Sequence, residues 1–330
     1  MGEPDLSTTE FIAQEEHAIN QLISGSQLIQ TRLGAIEINY KDSDKNNINL
    51  QQQPKDLAST ILLIHGGMGG QDQSMMLFDF FFGLGCNLLA ISRPGYGNSP
   101  LLENKSATQQ ADLIAALLDE LSLKSVVAVG FSAAGPSLYE FAIRYPQKVK
   151  AIIAINCISM KYQLRQAAPL ISQTVFSDPF TWLANNLLRF SPKAIASLIL
   201  RANSLLNREQ IKAAAAYIAK DKTKLKYIIR LCKSILNYNT MRKIGVENDI
   251  SEGRQLIPLH LEQIACNTLI IHATADAAVL FYDGVNSATK IPHAQPIWIE
   301  GGSHFSFWLD KEANGVQQRA KNFILEHVIN

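Results

Sequence analysis

The chain alternates between short apolar runs and longer segments of mixed polarity. Six of the runs are four or five residues long, rich in Val, Ile and Leu, and almost uninterrupted by polar residues. This pattern is typical of strands buried on both faces of a parallel sheet. Loops and helical segments separate the runs, which predicts right-handed β-α-β crossovers and an α/β fold with a parallel sheet. The runs lie at residues 60–64, 88–91, 125–129, 151–155, 268–272 and 296–299.

Two further runs, residues 28–33 and 35–40, flank Gly34, and the second alternates between apolar and polar positions. A β-hairpin is therefore predicted there. Residues 1–26 precede it as an N-terminal extension whose apolar positions between 9 and 23 recur at helical spacing. We expect this amphipathic helix to pack on the sheet edge, to cover a pocket or to mediate formation of a homodimer.

The pattern changes between residues 160 and 250, where helical periodicity dominates and no apolar strand occurs. Strands resume afterwards, so this segment is expected to be an all-helical cap inserted between two strands. The predicted organisation is a hydrolase-like core of residues 27–159 and 251–330, interrupted by the cap of residues 160–250. Helices are predicted within the cap at residues 179–188, 192–205, 209–219 and 225–236, and outside it at 111–121 and 317–328.

Composition limits the possible partners. With 330 residues, of which 47% are hydrophobic, the chain can bury a large core. A formal net charge of +1 gives no indication of a nucleic-acid surface. The four cysteines include no C-x-x-C pair, so neither a metal site nor a disulfide framework is predicted, and no cofactor is expected. Scattered thiols, the lack of an apolar secretory signal and the lack of a run long enough to span a bilayer lead us to expect a cytoplasmic protein.

The segment from Gly130 to Gly135 reads Gly-Phe-Ser-Ala-Ala-Gly and lies between a predicted strand and a helix-like run. Strand, sharp turn with a central serine, and helix form the context of a nucleophile elbow, which lifts the serine hydroxyl out of the sheet. The turn is tight, so the residues around Ser132 must be small, as Gly130 and Ala134 are. A serine between small residues can also simply end a strand, so the interpretation depends on partners elsewhere in the chain.

Those partners must be a base and an acid, because a serine hydroxyl is a weak nucleophile. Catalytic groups of open α/β sheets lie beyond the carboxyl ends of the strands. Asp276 follows the run 268–272, and His304 follows the run 296–299. The order Ser132, Asp276, His304 is the order used with a nucleophile elbow and differs from both serine-protease orders. We therefore predict that Ser132 is the nucleophile, His304 the base and Asp276 the orienting acid.

An acyl-transfer serine also needs donors for the oxyanion of its tetrahedral intermediate. One donor is expected to be the backbone N–H of Ala133, the residue after the nucleophile. The second is expected from the glycine-rich loop after the run 60–64, at either Gly67 or Met68. His65, at the start of this loop, is interpreted as a structural residue rather than as a second base.

Together these motifs resemble the α/β-hydrolase superfamily. The matching parts are the His65-Gly66-Gly67 loop, the segment Arg93-Pro94-Gly95-Tyr96-Gly97-Asn98-Ser99, the Ser132 elbow, Asp276 and His304, and the resemblance extends from about residue 27 to the end of the chain. It implies an eight-stranded sheet with an inserted helical lid. Two departures keep every catalytic group: Ala134 replaces the usual glycine of the elbow, and Ala273 replaces a common glycine before the acid.

The expected function is that of a serine hydrolase acting on a small-molecule ester. Several aromatic residues of the cap and of the loops around Asp276 and His304 would make the substrate apolar if they line the pocket, and ordinary packing accounts for them equally well. The same triad also serves lactone opening, carbon–carbon bond hydrolysis and perhydrolysis. A non-catalytic ligand-binding protein on the same fold is the alternative from a different class. The aromatic residues are Phe176, Phe180, Trp182, Phe190, Phe281, Tyr282, Phe305 and Trp308.

Overall fold

Eight strands form one sheet in the part of the chain that the computed structural model describes, residues 8–43, 59–162, 178–237 and 239–328. They are β1 Gln27–Thr31, β2 Gly34–Lys41, β3 Thr60–Ile64, β4 Asn87–Ile91, β5 Val126–Phe131, β6 Val149–Ile155, β7 Asn267–Ala273 and β8 Ala294–Ile299. Their spatial order is β1-β2-β4-β3-β5-β6-β7-β8. β2 pairs antiparallel with β1 and β4, and all other neighbours are parallel. The predicted eight-stranded, mostly parallel sheet is confirmed.

Helices surround the sheet, and five of those described, α5 to α9, come between β6 and β7. The four helices predicted in this insertion are present within three residues of their expected ends. The last inserted helix, α9, continues past residue 250, and the division of the chain at residues 160 and 250 stays a prediction. The helices are α1 Thr8–Ser24, α2 Gln71–Leu77, α3 Ala107–Glu120, α4 Gly135–Arg144, α5 Asp178–Phe190, α6 Pro192–Asn203, α7 Arg208–Lys220, α8 Lys222–Asn237, α9 Lys243–Gln255, α10 Phe281–Lys290, α11 Ser306–Leu309 and α12 Ala313–Val328.

Local hydrogen bonds explain where the helices depart from the sequence predictions. α3 begins four residues earlier than expected because Ser106 and Gln109 form a capping box, in which the Ser106 Oγ accepts from the Gln109 N–H. α2, α9 and α10 are absent from the predictions. α2 is seven residues long, α9 is polar with weak periodicity, and α10 contains the poor helix formers Gly284 and Asn286. No helix in the described ranges is both long and apolar enough to cross a membrane.

Alternate residues of the central strands enter two separate cores. In β3, Ile61 and Leu63 face a core that includes helices α1, α2, α8 and α12, whereas Leu62 and Ile64 face a core built with α3 and α4. All four side chains are completely buried. Both faces of the sheet are therefore covered, which accounts for the uninterrupted apolar runs of the sequence.

The N-terminal helix α1 packs against α2 of the core and α8 of the insertion. Its Ile12 and Ile19 are buried, and its Glu15 pairs with Arg230 of α8. Arg230 also pairs with Asp79, directly after α2. α1 thus joins an inserted helix to the core, and its Ile23 also lines a small cavity. The choice among the roles expected for this helix stays a prediction.

Two glycines within helices offer a matched test of the packing. In Gly315 of α12, an added Cβ meets nothing within 4 Å, whereas in Gly245 of α9 it would lie 2.2 Å from the ring of Tyr96. Gly315→Ala is expected to raise the free energy of unfolding by roughly 0.5–1 kcal/mol, because alanine is the better helix former. Gly245→Ala is expected to lower it by roughly 1–3 kcal/mol through overpacking. Urea unfolding measures both, and a Gly245→Ala protein as stable as the wild type would contradict the close approach.

Candidate active site

Ser132 lies at a sharp turn between β5 and α4. Its φ of +57° is in the left-handed region, which non-glycine residues seldom adopt outside strained or functional positions. The neighbours are tightly packed: a Cβ on Gly130 would lie 2.8 Å from Leu138, and one on Gly135 would lie 2.1 Å from the carbonyl oxygen of Ile158. The turn therefore has the form of a nucleophile elbow. The usual elbow pattern has a glycine where this chain has Ala134. The glycine that this turn requires is the next residue, Gly135.

Ser132, His304 and Asp276 form one row of hydrogen bonds, although they are far apart in the sequence. The Nε2 of His304 is 2.9 Å from the Oγ of Ser132, and its Nδ1 is 2.6 Å from the Oδ2 of Asp276. The carboxylate accepts from Nδ1–H, which leaves Nε2 to accept from the serine hydroxyl. All three side chains are buried. The structure thus brings together the three residues that the sequence singles out.

Asp276 is held by the backbone on its other side. Its Oδ1 accepts hydrogen bonds from the N–H groups of Ala278, at 2.8 Å, and Val279, at 3.0 Å. Both carboxylate oxygens therefore have partners, as a completely buried charge requires. Among the described residues, His304 is therefore the one group within hydrogen-bond distance of Oδ2.

Asn156 joins the loops of the acid and the base, and sequence reasoning missed it. It follows β6, is completely buried and has a φ of +45°. Its Nδ2 donates to the carbonyl oxygen of His304 at 2.7 Å, and its Oδ1 accepts from the N–H of Ala273 at 2.9 Å. The one signal available in the sequence is a polar residue placed directly after an apolar strand, as with Ser132.

The inserted helices also contact both loops. The carbonyl oxygen of Asn203, the last residue of α6, accepts from the N–H groups of His304, at 3.0 Å, and Ala277, at 3.4 Å. The N–H of Leu205 donates to the carbonyl oxygen of Ala275 at 2.7 Å. The insertion is thus hydrogen-bonded to the backbone of the candidate base.

The glycine-rich loop forms a turn from Gly66 to Gly69, closed by a 3.3 Å hydrogen bond between the Gly69 N–H and the Gly66 carbonyl. It lies against the elbow, because a Cβ on Gly66 would be 2.9 Å from the Cβ of Ser132. Gly67 is exposed and faces Ala133, whereas Met68 is half-buried and has a φ of +61°. The candidate oxyanion donors Ala133, Gly67 and Met68 therefore lie beside the candidate nucleophile.

His65 has the contacts of a structural residue. Its Nδ1 donates to the carbonyl oxygen of Gly66 at 2.6 Å, and its Nε2 accepts from the N–H of Arg93 at 2.9 Å. Burial lowers its pKa well below the usual value, and the positive charge of Arg93 lowers it further. Burial likewise lowers the pKa of His272, which donates to the carbonyl oxygen of Val279 at 3.1 Å. Both imidazoles are neutral near pH 7.

The aromatic residues expected around the site are dispersed. Phe305 packs beside His304, with ring centroids 5.2 Å apart, and Trp308 is buried in the core with its indole N–H bonded to Leu77. Phe190 and Tyr282 are 80% and 75% exposed, so neither lines a closed pocket of described residues. Phe281 packs on Trp298. Phe176 and the side chains of Phe180 and Trp182 lie outside the described part of the chain.

A cavity of about 270 Å³ borders the elbow at Ala133. Ile158, after β6, and Leu256, after α9, contribute apolar surface to it, whereas Lys105 and Glu252 contribute charged groups. α9 therefore forms one wall of the cavity, and the elbow forms another.

A sequence profile of the alpha/beta hydrolase fold family matches residues 59–311. The chain belongs to the alpha/beta hydrolase fold family. The resemblance noted in the sequence is confirmed, and with it the assignment of the protein to the hydrolases. The matched range includes the glycine-rich loop, the elbow, Asp276 and His304.

Individual alpha/beta hydrolases are similar along most of the chain. The Bacillus subtilis protein YcgS, described as an uncharacterized hydrolase, is 22% identical over 77% of this chain and 87% of its own. Among solved structures, an alpha/beta hydrolase fold protein from Nakamurella multipartita has a TM-score of 0.80 at 24% identity, covering 91% of this chain and 99% of its own. The enol-lactonase from Burkholderia xenovorans LB400 has a TM-score of 0.62 at 16% identity, covering 90% and 99%. At these identities the two structures support the fold alone.

The buried neutral histidines predict how stability depends on pH. Below about pH 6.5 the unfolded chain binds protons that folded His65 and His272 exclude, so stability is expected to fall by up to about 1.4 kcal/mol per pH unit for each residue. Urea unfolding at pH 7.5 and 5.5 measures the slope. His65→Gln should reduce the slope. Equal slopes in the wild type and His65→Gln would contradict this.

Proposed function

We propose that this alpha/beta hydrolase cleaves a small-molecule ester through an acyl-enzyme formed on Ser132. The observation that carries the proposal is the unbroken row of hydrogen bonds from the Ser132 hydroxyl through His304 to Asp276. Nucleophile, base and orienting acid are within hydrogen-bond distance in the geometry that serine catalysis requires.

The reaction follows from this row. The Nε2 of His304 removes the hydroxyl proton as the Oγ of Ser132 bonds to the carbonyl carbon, and the carbonyl oxygen becomes an oxyanion. The intermediate collapses, and the leaving alkoxide takes the proton from His304, which Asp276 has stabilised as an imidazolium. A water molecule then repeats the sequence on the acyl-enzyme, with His304 as its base, and releases the acid and free Ser132.

Of the two possible second oxyanion donors, the contacts favour Gly67. A trans peptide directs its C=O and the following N–H in opposite directions. The Gly66 carbonyl points into the core, where it accepts from His65 at 2.6 Å, so the Gly67 N–H points the other way. Ala133 with Gly67 makes up the proposed oxyanion hole.

The cavity beside Ala133 fits a small substrate. Pockets for drug-sized ligands usually measure about 300–1,000 Å³, and this one is just below that range. Its lining includes Ala133 but neither Ser132 nor His304, so we expect it to take the part of the substrate that extends past Ala133, where apolar surface at Ile158 and Leu256 favours an acyl or alkyl chain. Esters and lactones present the same acyl carbon to Ser132, so a lactone is the second candidate substrate. An esterase and an enol-lactonase are both among the proteins with similar folds.

Covalent labelling tests the nucleophile. A fluorophosphonate probe is expected to modify Ser132 of the folded wild-type protein, as located by peptide mass spectrometry. Ser132→Ala is expected to abolish labelling and to lower kcat with p-nitrophenyl esters by about 10⁶, as for other serine triads. Ser197→Ala, at a serine whose hydroxyl bonds to the backbone of its own helix, is the control. Unchanged turnover by Ser132→Ala would refute the proposal, whereas labelling of Ser132 without turnover of esters, lactones or amides would favour a ligand-binding protein.

A chain-length series tests the cavity. The wild type is expected to prefer p-nitrophenyl butyrate or hexanoate to acetate. Leu256→Trp, which fills the cavity, should lower kcat/KM for hexanoate by about tenfold more than for acetate, since a poorly accommodated methylene group costs 1–3 kcal/mol. Leu198→Trp, at an exposed position of α6, is the matched control. A wild type that prefers acetate would contradict the proposed apolar pocket.

A further inference from the structure

Two buried guanidinium groups lie behind the glycine-rich turn. Arg93 donates through Nε to the carbonyl oxygen of His65 at 3.0 Å and through Nη2 to that of Gly66 at 3.4 Å. Arg242 donates through Nη1 to the carbonyl oxygen of Met68 at 2.6 Å. Three of the four carbonyl groups between residues 65 and 68 therefore accept a hydrogen bond from a guanidinium group.

Each guanidinium is matched by a carboxylate. Arg93 makes two parallel bonds with Asp249 of α9, at 2.8 and 2.6 Å, and the hydroxyl of Tyr96 donates to the same carboxylate. Arg242 contacts both oxygens of Asp72 of α2, at 3.0 and 2.8 Å. The paired carboxylates neutralise the two buried charges. Arg93 and Asp249 form a bidentate pair, which fixes the plane of that guanidinium group. Arg242 contacts both oxygens of Asp72 through Nη2 alone.

The same contacts define where α9 lies. Arg242 directly precedes this helix, and Asp249 is within it. The backbone of the helix approaches the loop after β4 closely: the Gly245 N–H donates to the Gly95 carbonyl at 2.9 Å, and the Gly97 N–H donates to the Met241 carbonyl at 2.8 Å. Any displacement of α9 must therefore move both arginines or break their pairs.

We propose that Arg93 and Arg242 are positioning residues that hold the glycine-rich turn in its oxyanion-binding form, so that the position of α9 controls this half of the active site. The inference rests on the proposed serine mechanism. Because peptide groups are planar, the Gly66 carbonyl held by Arg93 fixes the direction of the Gly67 N–H. The Met68 carbonyl held by Arg242 likewise fixes the Gly69 N–H, which closes the turn on the Gly66 carbonyl. Small displacements of catalytic groups can lower rates about 100-fold, so a turn released from its arginines loses transition-state binding without losing the triad.

Arg230 supplies the matched control. It also belongs to an inserted helix and is paired with carboxylates, Glu15 and Asp79, and it donates to a backbone carbonyl, that of Met76, at 2.8 Å. It therefore anchors α8 to α1 and α2 in the way that Arg242 anchors α9, but it has no contact with residues 65–69 among its hydrogen bonds in the described structure.

The experiment compares Arg242→Gln with Arg230→Gln in the full chain, using a p-nitrophenyl ester and its thiono analogue. Arg242→Gln is expected to lower kcat about 10- to 100-fold, less than the loss of a whole oxyanion donor, and to change KM by less than threefold. Its preference for the oxygen ester over the thiono ester should fall, because an intact oxyanion hole accelerates the reaction of the thiono ester less than that of the oxygen ester. Arg230→Gln should lower Tm, with kcat within threefold and the oxygen-to-sulfur preference unchanged.

Asp249→Asn provides a second variant that does not touch the turn. It leaves an uncharged partner beside Arg93 and should lower the oxygen-to-sulfur preference in the same direction by a smaller factor. Folding is checked by circular dichroism, and fluorophosphonate labelling of Ser132 shows that the nucleophile is intact. The inference is overturned if folded Arg242→Gln keeps the wild-type kcat and oxygen-to-sulfur preference, or if Arg230→Gln loses both equally. If Ser132→Ala itself remains active, the proposed function fails instead.

Discussion

The register of the parallel strands is the constraint on which the candidate site depends. Ile64 of β3 pairs with Gly130 of β5, Gly130 with Ala154 of β6, and Ala154 with Ile270 of β7. The strands therefore end almost level, and the loops that follow them emerge side by side at the carboxyl edge of the sheet. A shift of one residue in any of these pairings would turn the buried side chains of that strand to the opposite face. The extensive apolar burial of the sheet thus determines where Ser132 and the glycine-rich turn can meet.

Because of this register, residues directly after a strand can be predicted as neighbours from sequence alone. Ser132, Asp276 and His304 each follow an apolar run, and a residue type suited to serine chemistry makes each of them recognisable. Asn156 is in the same position after β6, but an isolated asparagine has no characteristic chemistry, and only its bonds to the loops of His304 and Ala273 reveal its role. The parallel direction of these strands was predicted from the alternation of strands and helices, whereas their spatial order is seen only in the structure.

Contacts between the insertion and the core could not be predicted in this way. Arg242 and Asp249 lie in or beside a polar helix that the sequence does not indicate, and their partners are about 150 residues or more away. No local sequence pattern shows that a guanidinium group will bond to a backbone carbonyl group far away in the sequence. The sequence likewise leaves the choice between Gly67 and Met68 open, because the proposal of Gly67 depends on the direction of the Gly66 carbonyl. What is determined by long-range packing becomes visible only in three dimensions.

Backbone strain at the strand ends points to the same region independently. Five non-glycine residues in the described ranges have a positive φ, and three of them are Met68, Ser132 and Asn156. Left-handed backbone costs of order 1–3 kcal/mol at such a residue, so it persists only where the surroundings impose it. Here the surroundings are the Arg242 bond to the Met68 carbonyl, the Ser132 carbonyl accepting from the Ile158 N–H, and the paired amide of Asn156. The fold concentrates its strained residues where it aligns the candidate nucleophile, donors and base, which is expected if folding stability is given up to hold catalytic groups in place.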